Sequence, residues 1–188
     1  MSMTGWIVLG VIVLVVLFVI VTYNRLVSLR QVVGQAWSDI SVQLKQRHDL
    51  VPNLVEAVKG YASHERGTLE AVVQARNAAV SASGPAAQAQ AENMLSGALR
   101  QLFALAEAYP DLKANQNFLQ LQSELADLEN KIAASRRFFN NSVQEYNASI
   151  QSFPAVLFAG PLGFTQRTFF ELDEGERAAV NAPPQVKF

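Results

Sequence analysis

From Leu26 onward the chain places apolar or alanine side chains at steps of three and four: Leu26, Leu29, Val33, Ala36, Ile40, Leu44, Val51, Leu54, Val58 and Tyr61. That spacing is the signature of a helix packed along its length against other helices, and it commits the chain to an all-α architecture. Arg47 is the one interruption of the apolar series, and Pro52 the one strong helix breaker within it. Proline lacks an amide hydrogen and crowds the preceding turn, so a kink is expected near residues 48–52. The helix is expected to continue to the neighbourhood of Ala82, where Ser81-Ala-Ser-Gly-Pro85 supplies a stop and a turn.

Upstream of this series lies Gly5–Tyr23, nineteen positions without a charge. As a helix it would span roughly 28 Å, close to the hydrocarbon thickness of a bilayer. Trp6 and Tyr23 stand at its ends, where amphipathic rings favour the headgroup region. A cleaved signal peptide would carry a basic residue before the run and a small-x-small site after it; neither is present, so the run reads as a retained anchor. Arg25 and Arg30 follow it, which predicts a single pass with the N-terminus outside and the body in the cytoplasm. With no proline or glycine between Tyr23 and Leu26, the membrane helix is expected to continue directly into the amphipathic one.

A second helix, Ala86 to about Ala108, would carry Ala91, Met94, Leu95, Ala98, Leu102 and Leu105 on one face and end before Pro110. A third opens near Asn115–Asn117 and reaches about Ser152, with the seam Phe118, Leu121, Leu125, Leu128, Ile132, Ser135, Phe139, Val143, Tyr146 and Ile150. Such steps sustained over more than four heptads predict coiled-coil-like packing. Beyond Phe153-Pro154 the stretch PAVLFAGPLGF is apolar, punctuated by glycine and proline, and too short to cross a bilayer. It reads as an irregular cap on the bundle, with a re-entrant membrane loop as the alternative. A short polar helix from Asp173 to about Val180 and a tail close the chain. The expected organisation is an anchor over residues 1–24, an antiparallel bundle of three long helices over 25–172, and a tail over 173–188.

Chemistry is sparse. A net charge of −1 argues against a general nucleic-acid binder, and the absence of cysteine excludes disulfides and thiolate chemistry. His48 and His64, sixteen residues apart, would lie about 24 Å from each other on one straight helix and could not share a metal. No Glu-x-x-His pair, phosphate-cradling glycine loop or nucleophile elbow occurs. No catalytic, cofactor-binding or metal-binding residue and no cofactor is expected, and both histidines read as structural or solvent-facing. Arg47 falls at an inward seam position between Leu44 and Val51. Either it is buried and paired, with Asp39, Asp49 or Glu124 as partner, or it snorkels from the seam's edge. Asn140, Asn141 and Asn147 with Tyr146 are the nearest approach to an internal polar cluster.

The stretch AWSDISVQLKQRHDLVPNLVEAVKGYASHE, then TLEAVVQARNAA, AEAYPDLKANQNFLQLQSEL and the C-terminal FP…GF…FFE, resembles the LemA family. The likeness runs from the anchor nearly to the C-terminus through long and unusual motifs. It implies a protein of the bacterial inner membrane with a long antiparallel helical bundle as its soluble part, and it implies no particular reaction.

Two functional readings follow. One is a non-enzymatic membrane-anchored scaffold that self-associates and organises the membrane or partner proteins; the other is a tethered sensor that takes a ligand or peptide between its helices. If the first helix runs unbroken for roughly 88 Å, the second and third cover only its distal part. The stripe Leu26, Leu29, Val33, Trp37, Ile40 and Leu44 would then lack a partner in its own chain and form a homo-oligomer interface. The lipid bilayer and a second copy are thus the expected partners, with membrane or cytoplasmic proteins beside them.

Overall fold

The computed structural model describes residues 3–171, and the expected short C-terminal helix and tail lie outside them. Among the described residues every regular element is helical. They are α1 (Met3–Lys59), α2 (Arg66–Ser81), α3 (Pro85–Ala106), the single turn α4 (Pro110–Lys113) and α5 (Gln116–Gln151), followed by a 3-10 turn at Ala155–Leu157. The apolar run is the first part of α1, and the helix passes without interruption into the amphipathic series and through Pro52. An 18-residue window of α1 near the N-terminus has a mean hydropathy of 3.0 and is not covered by the rest of the chain. This is a helix long and apolar enough to cross a membrane.

One boundary differs from expectation. The first helix ends at Lys59, not near Ala82, and a six-residue connection, 60–65, leads into a separate α2. Its last turn tightens as the Tyr61 amide donates to Val58 O and the Ala62 amide also bonds Val58 O. Glycine at position 60 weakens helix propagation there, while Ala62, Leu69 and Val72 bury against α1 only if the chain reverses.

The chain divides into two compact units: Met1–Trp37 with Phe138–Arg167, and Ser38–Arg137 with Thr168–Phe188. The second contains a four-helix arrangement built from the distal part of α1, α2, α3 and the first part of α5. Its core joins Leu50, Val51, Leu54, Val58, Leu69, Val72, Leu95, Leu99, Leu102, Leu112, Phe118, Leu125 and Leu128. Here α1 and α5 run antiparallel. The Asn115 side-chain amide donates to Tyr61 Oη, whereas Arg47, fourteen residues earlier than Tyr61, meets Glu129, fourteen residues later than Asn115. The α2–α3 connection turns at Gly84, whose φ of 83° and ψ of 162° lie in a region that only glycine populates readily. Pro85 then occupies the first turn of α3. Met94, expected on the inner face of α3, is exposed; Gln88 and Glu92 are buried instead.

In the first unit the Trp37 and Phe139 rings pack at a centroid distance of 5.5 Å. Phe139, Val143, Tyr146 and Ile150 of α5 are buried, as are Leu26 and Val33 of α1. After Gln151 the chain folds back on α1, and the Phe164 ring sits edge-on to Tyr23, with the Arg30 guanidinium 5.2 Å from its centroid. Asn147 holds the outgoing strand of chain by two bonds: its amide donates to Arg167 O at 2.9 Å and the Arg167 amide donates to Asn147 Oδ1 at 2.8 Å.

Candidate functional site: a buried polar network

Heptad spacing points position 47 of α1 inward, and position 92 of α3 falls one turn before Leu95 on that helix's buried stripe. The fold therefore brings two ionisable side chains together in the interior. The Arg47 side chain is 2% exposed and that of Glu92 is 5% exposed, with Arg47 Nη1 donating to Glu92 Oε2 at 3.2 Å. Arg47 Nη2 donates to Ser96 Oγ at 2.7 Å and meets Glu129 Oε1 of α5 at 3.0 Å. The second oxygen of Glu92 meets His48 Nε2 at 2.6 Å and accepts from the Gln88 amide at 2.8 Å. Gln88 in turn donates to Ala79 O of α2 at 3.0 Å. Buried charge persists only where it is paired and hydrogen-bonded, and here both Glu92 oxygens are engaged.

The α2 helix makes a second link, through a proline. Because Pro52 has no amide hydrogen, His48 O lacks its usual donor four residues ahead. Arg76 Nε of α2 donates to that carbonyl at 3.2 Å. Thus α1, α2, α3 and α5 meet at one polar centre.

Clefts open on this unit among the described residues. One of about 370 Å³ lies against Arg47, Ser96, Arg100, Phe103 and Glu129. A second, of about 330 Å³, lies against His48, Arg76, Gln88, Lys45 and Asp49. A third, of about 680 Å³, follows the α1–α2 hairpin and is lined by Val55, Glu56, Lys59, Arg66, Leu69, Glu70 and Val73. Among the described residues, no group of three or more His, Cys, Asp or Glu side chains is placed to hold a metal ion.

Arg47 is thus buried and paired, but with Glu92 and Glu129, not with Asp39, Asp49 or Glu124. His48 is bound into the core, whereas His64 is exposed in the α1–α2 connection. Of the asparagine group, Asn147 is buried and pins backbone, Asn140 is half-buried and Asn141 is exposed, so no internal ligand cluster forms. Leu26, Val33, Ile40 and Leu44 are buried within the single chain, and Leu29 and Trp37 are half-buried. That coverage removes the ground on which an oligomer interface was expected along this stripe. The signal for Glu92 was present in the sequence: Gln88, Glu92, Leu95, Leu99 and Leu102 share the three-four spacing.

The geometry defines a class: an all-helical, membrane-associated protein with an apolar N-terminal helix and a bundle tied by a central ion network. The LemA family profile matches residues 36–188, and the chain belongs to the LemA family. It is 28% identical to protein LemA of Metamycoplasma hominis over 162 residues, covering 84% of this chain and 73% of that protein. It is 25% identical to magnetosome protein MamQ of Magnetospirillum gryphiswaldense, covering 87% of this chain and 70% of that one. Magnetosome protein MamQ 2 of Paramagnetospirillum magneticum is 24% identical, covering 86% and 67% respectively.

Proposed function

We propose that this chain is a single-pass, non-catalytic scaffold that self-associates and presents its helical body to partners, with the N-terminus outside and the body in the cytoplasm. One observation carries the reading. Arg47, Arg76, Gln88, Glu92 and Glu129 bond across α1, α2, α3 and α5, an arrangement that confers rigidity and register, while Arg47 Nε and Gln43 Oε1 are buried without a partner among the described residues. Arg25 and Arg30 immediately after the apolar run support the orientation. Anchoring confines the chains to two dimensions with a common orientation, which raises their effective concentration and favours weak self-contacts.

The test is the particle mass of the full chain in mild detergent, beside cross-linking in native membranes through single cysteines at two exposed positions, Leu9→Cys and Val42→Cys. A multiple of 20.6 kDa and inter-chain product are expected. A monomeric mass without product at either position would overturn self-association. A second reading, a tethered binding module, draws on the 680 Å³ groove along the α1–α2 hairpin, whose apolar Val55, Leu69 and Val73 are rimmed by Lys59, Arg66, Glu56 and Glu70.

A further inference from the structure

We infer that residues 153–164 form a second membrane contact, a compact apolar segment that lies in the headgroup region of an anionic bilayer beside the end of the α1 anchor. The inference rests on the reading of residues 5–23 as that anchor. Inward, Ala155, Ala159 and Phe164 are buried. Outward, the segment shows water large apolar groups: Phe153 is 80% exposed, Leu157 69%, Val156 50% and Leu162 45%. Four such residues within ten positions form a patch, not the scattered single exposures that soluble surfaces tolerate. No residue from 153 to 164 is charged.

The position of the patch identifies its occupant. A crevice of about 330 Å³ is lined by Phe18, Val21, Thr22, Arg25 and Leu26 of α1 on one side and by Ser152–Ala155 on the other. The segment therefore sits at the level where the uncharged run ends and the first arginines begin, which is where hydrocarbon gives way to headgroups. Its backbone suits that depth. The amides of Val156, Leu157, Phe158, Ala159, Leu162, Gly163 and Phe164 all donate to carbonyls between Ser152 and Gly160, so few donors would be stranded away from water. Charge agrees as well. The unit holding the segment has three arginines (Arg25, Arg30, Arg167) and one acid (Glu145), whereas the rest of the chain carries the remaining 12 basic and 15 acidic residues. Basic groups beside an apolar patch favour anionic lipid.

The experiment uses the full chain, which contains no cysteine, in phosphatidylcholine–phosphatidylglycerol vesicles. Single variants Leu157→Cys, Leu14→Cys and Ser63→Cys, all at exposed positions, carry an environment-sensitive fluorophore. Nitroxide on the upper acyl chain and aqueous iodide serve as quenchers. Position 157 should be quenched several-fold more by lipid nitroxide than position 63, be shielded from iodide, and lose part of the lipid quenching when phosphatidylglycerol is omitted. Depth at 157 should be about 5–10 Å into the headgroup–acyl boundary. Iodide access at 157 with lipid quenching retained at 14 would overturn the inference and leave the anchor standing. Shielding from both quenchers would show a protein cover and also overturn it. Lipid quenching unchanged without phosphatidylglycerol would refute the anionic preference. Failure of lipid quenching at position 14 would defeat the anchor reading itself.

Discussion

Removing the Glu92 carboxylate is the sharpest test of the central network. In Glu92→Ala the Arg47 guanidinium, 2% exposed, loses its buried counter-charge. His48 Nε2 and the Gln88 amide lose a shared partner at the same time. Breaking a buried pair from one side costs about 3–5 kcal/mol, since the remaining charge cannot reach water. Glu129 stays 3.0 Å from Arg47, but its side chain is 43% exposed and its field is screened, so it compensates in part and the lower end applies. At about 2–4 °C per kcal/mol for a chain of this size, about 3 kcal/mol lowers the melting temperature by about 6–12 °C. Thermal unfolding of the full chain in detergent, followed by far-ultraviolet circular dichroism, reads the shift. Two controls give the result its meaning. Glu129→Ala, at the exposed end of the network, should cost about 1 kcal/mol or less. The double variant Arg47→Met/Glu92→Met, which leaves no orphaned charge, should melt no lower than Glu92→Ala. A Glu92→Ala protein that melts within about 2 °C of the parent would refute the argument that the pair is structurally required.

Phe139→Ala empties a buried site against Trp37 and should cost about 3–5 kcal/mol in the same assay; an unchanged melting temperature would show that the ring is not packed as described. Protease added to intact cells should spare the C-terminal region, and efficient cleavage there would reverse the orientation proposed from Arg25 and Arg30.

The three-four spacing in the sequence located the packed faces well. Of the α5 seam, Phe118, Leu125, Leu128, Ile132, Phe139, Val143, Tyr146 and Ile150 are buried while Leu121 and Ser135 are half-buried; of the α1 series, Leu26, Val33, Ala36, Ile40, Leu44, Val51, Leu54 and Val58 are buried, Leu29 is half-buried and Tyr61 is exposed. What periodicity conceals is direction. The 60–65 connection carries no proline, and apolar spacing persists through Val58 and Tyr61, so the helix stop was diffuse. Missing one reversal inverts the sense of every later helix. That is why the later helices were expected to cover only the distal part of the first, whereas in the first unit Phe139 lies against Trp37. The network was half readable. Arg47 breaks an apolar series and so announces itself, while Glu92 sits in an alanine-rich helix whose composition masks its register. Partner identity depends on which helices meet, and residue spacing within one helix carries no information about that.

Pro52 does more than subtract a hydrogen bond from α1. By withholding its own donor it leaves His48 O open, and Arg76 arrives from a different helix to fill the place. Within the fold that carbonyl finds its donor on α2, whereas in an isolated α1 it would turn to water instead. A gap that weakens one helix alone becomes a reason for two to form together: the proline converts local instability into cooperativity between the arms of the hairpin.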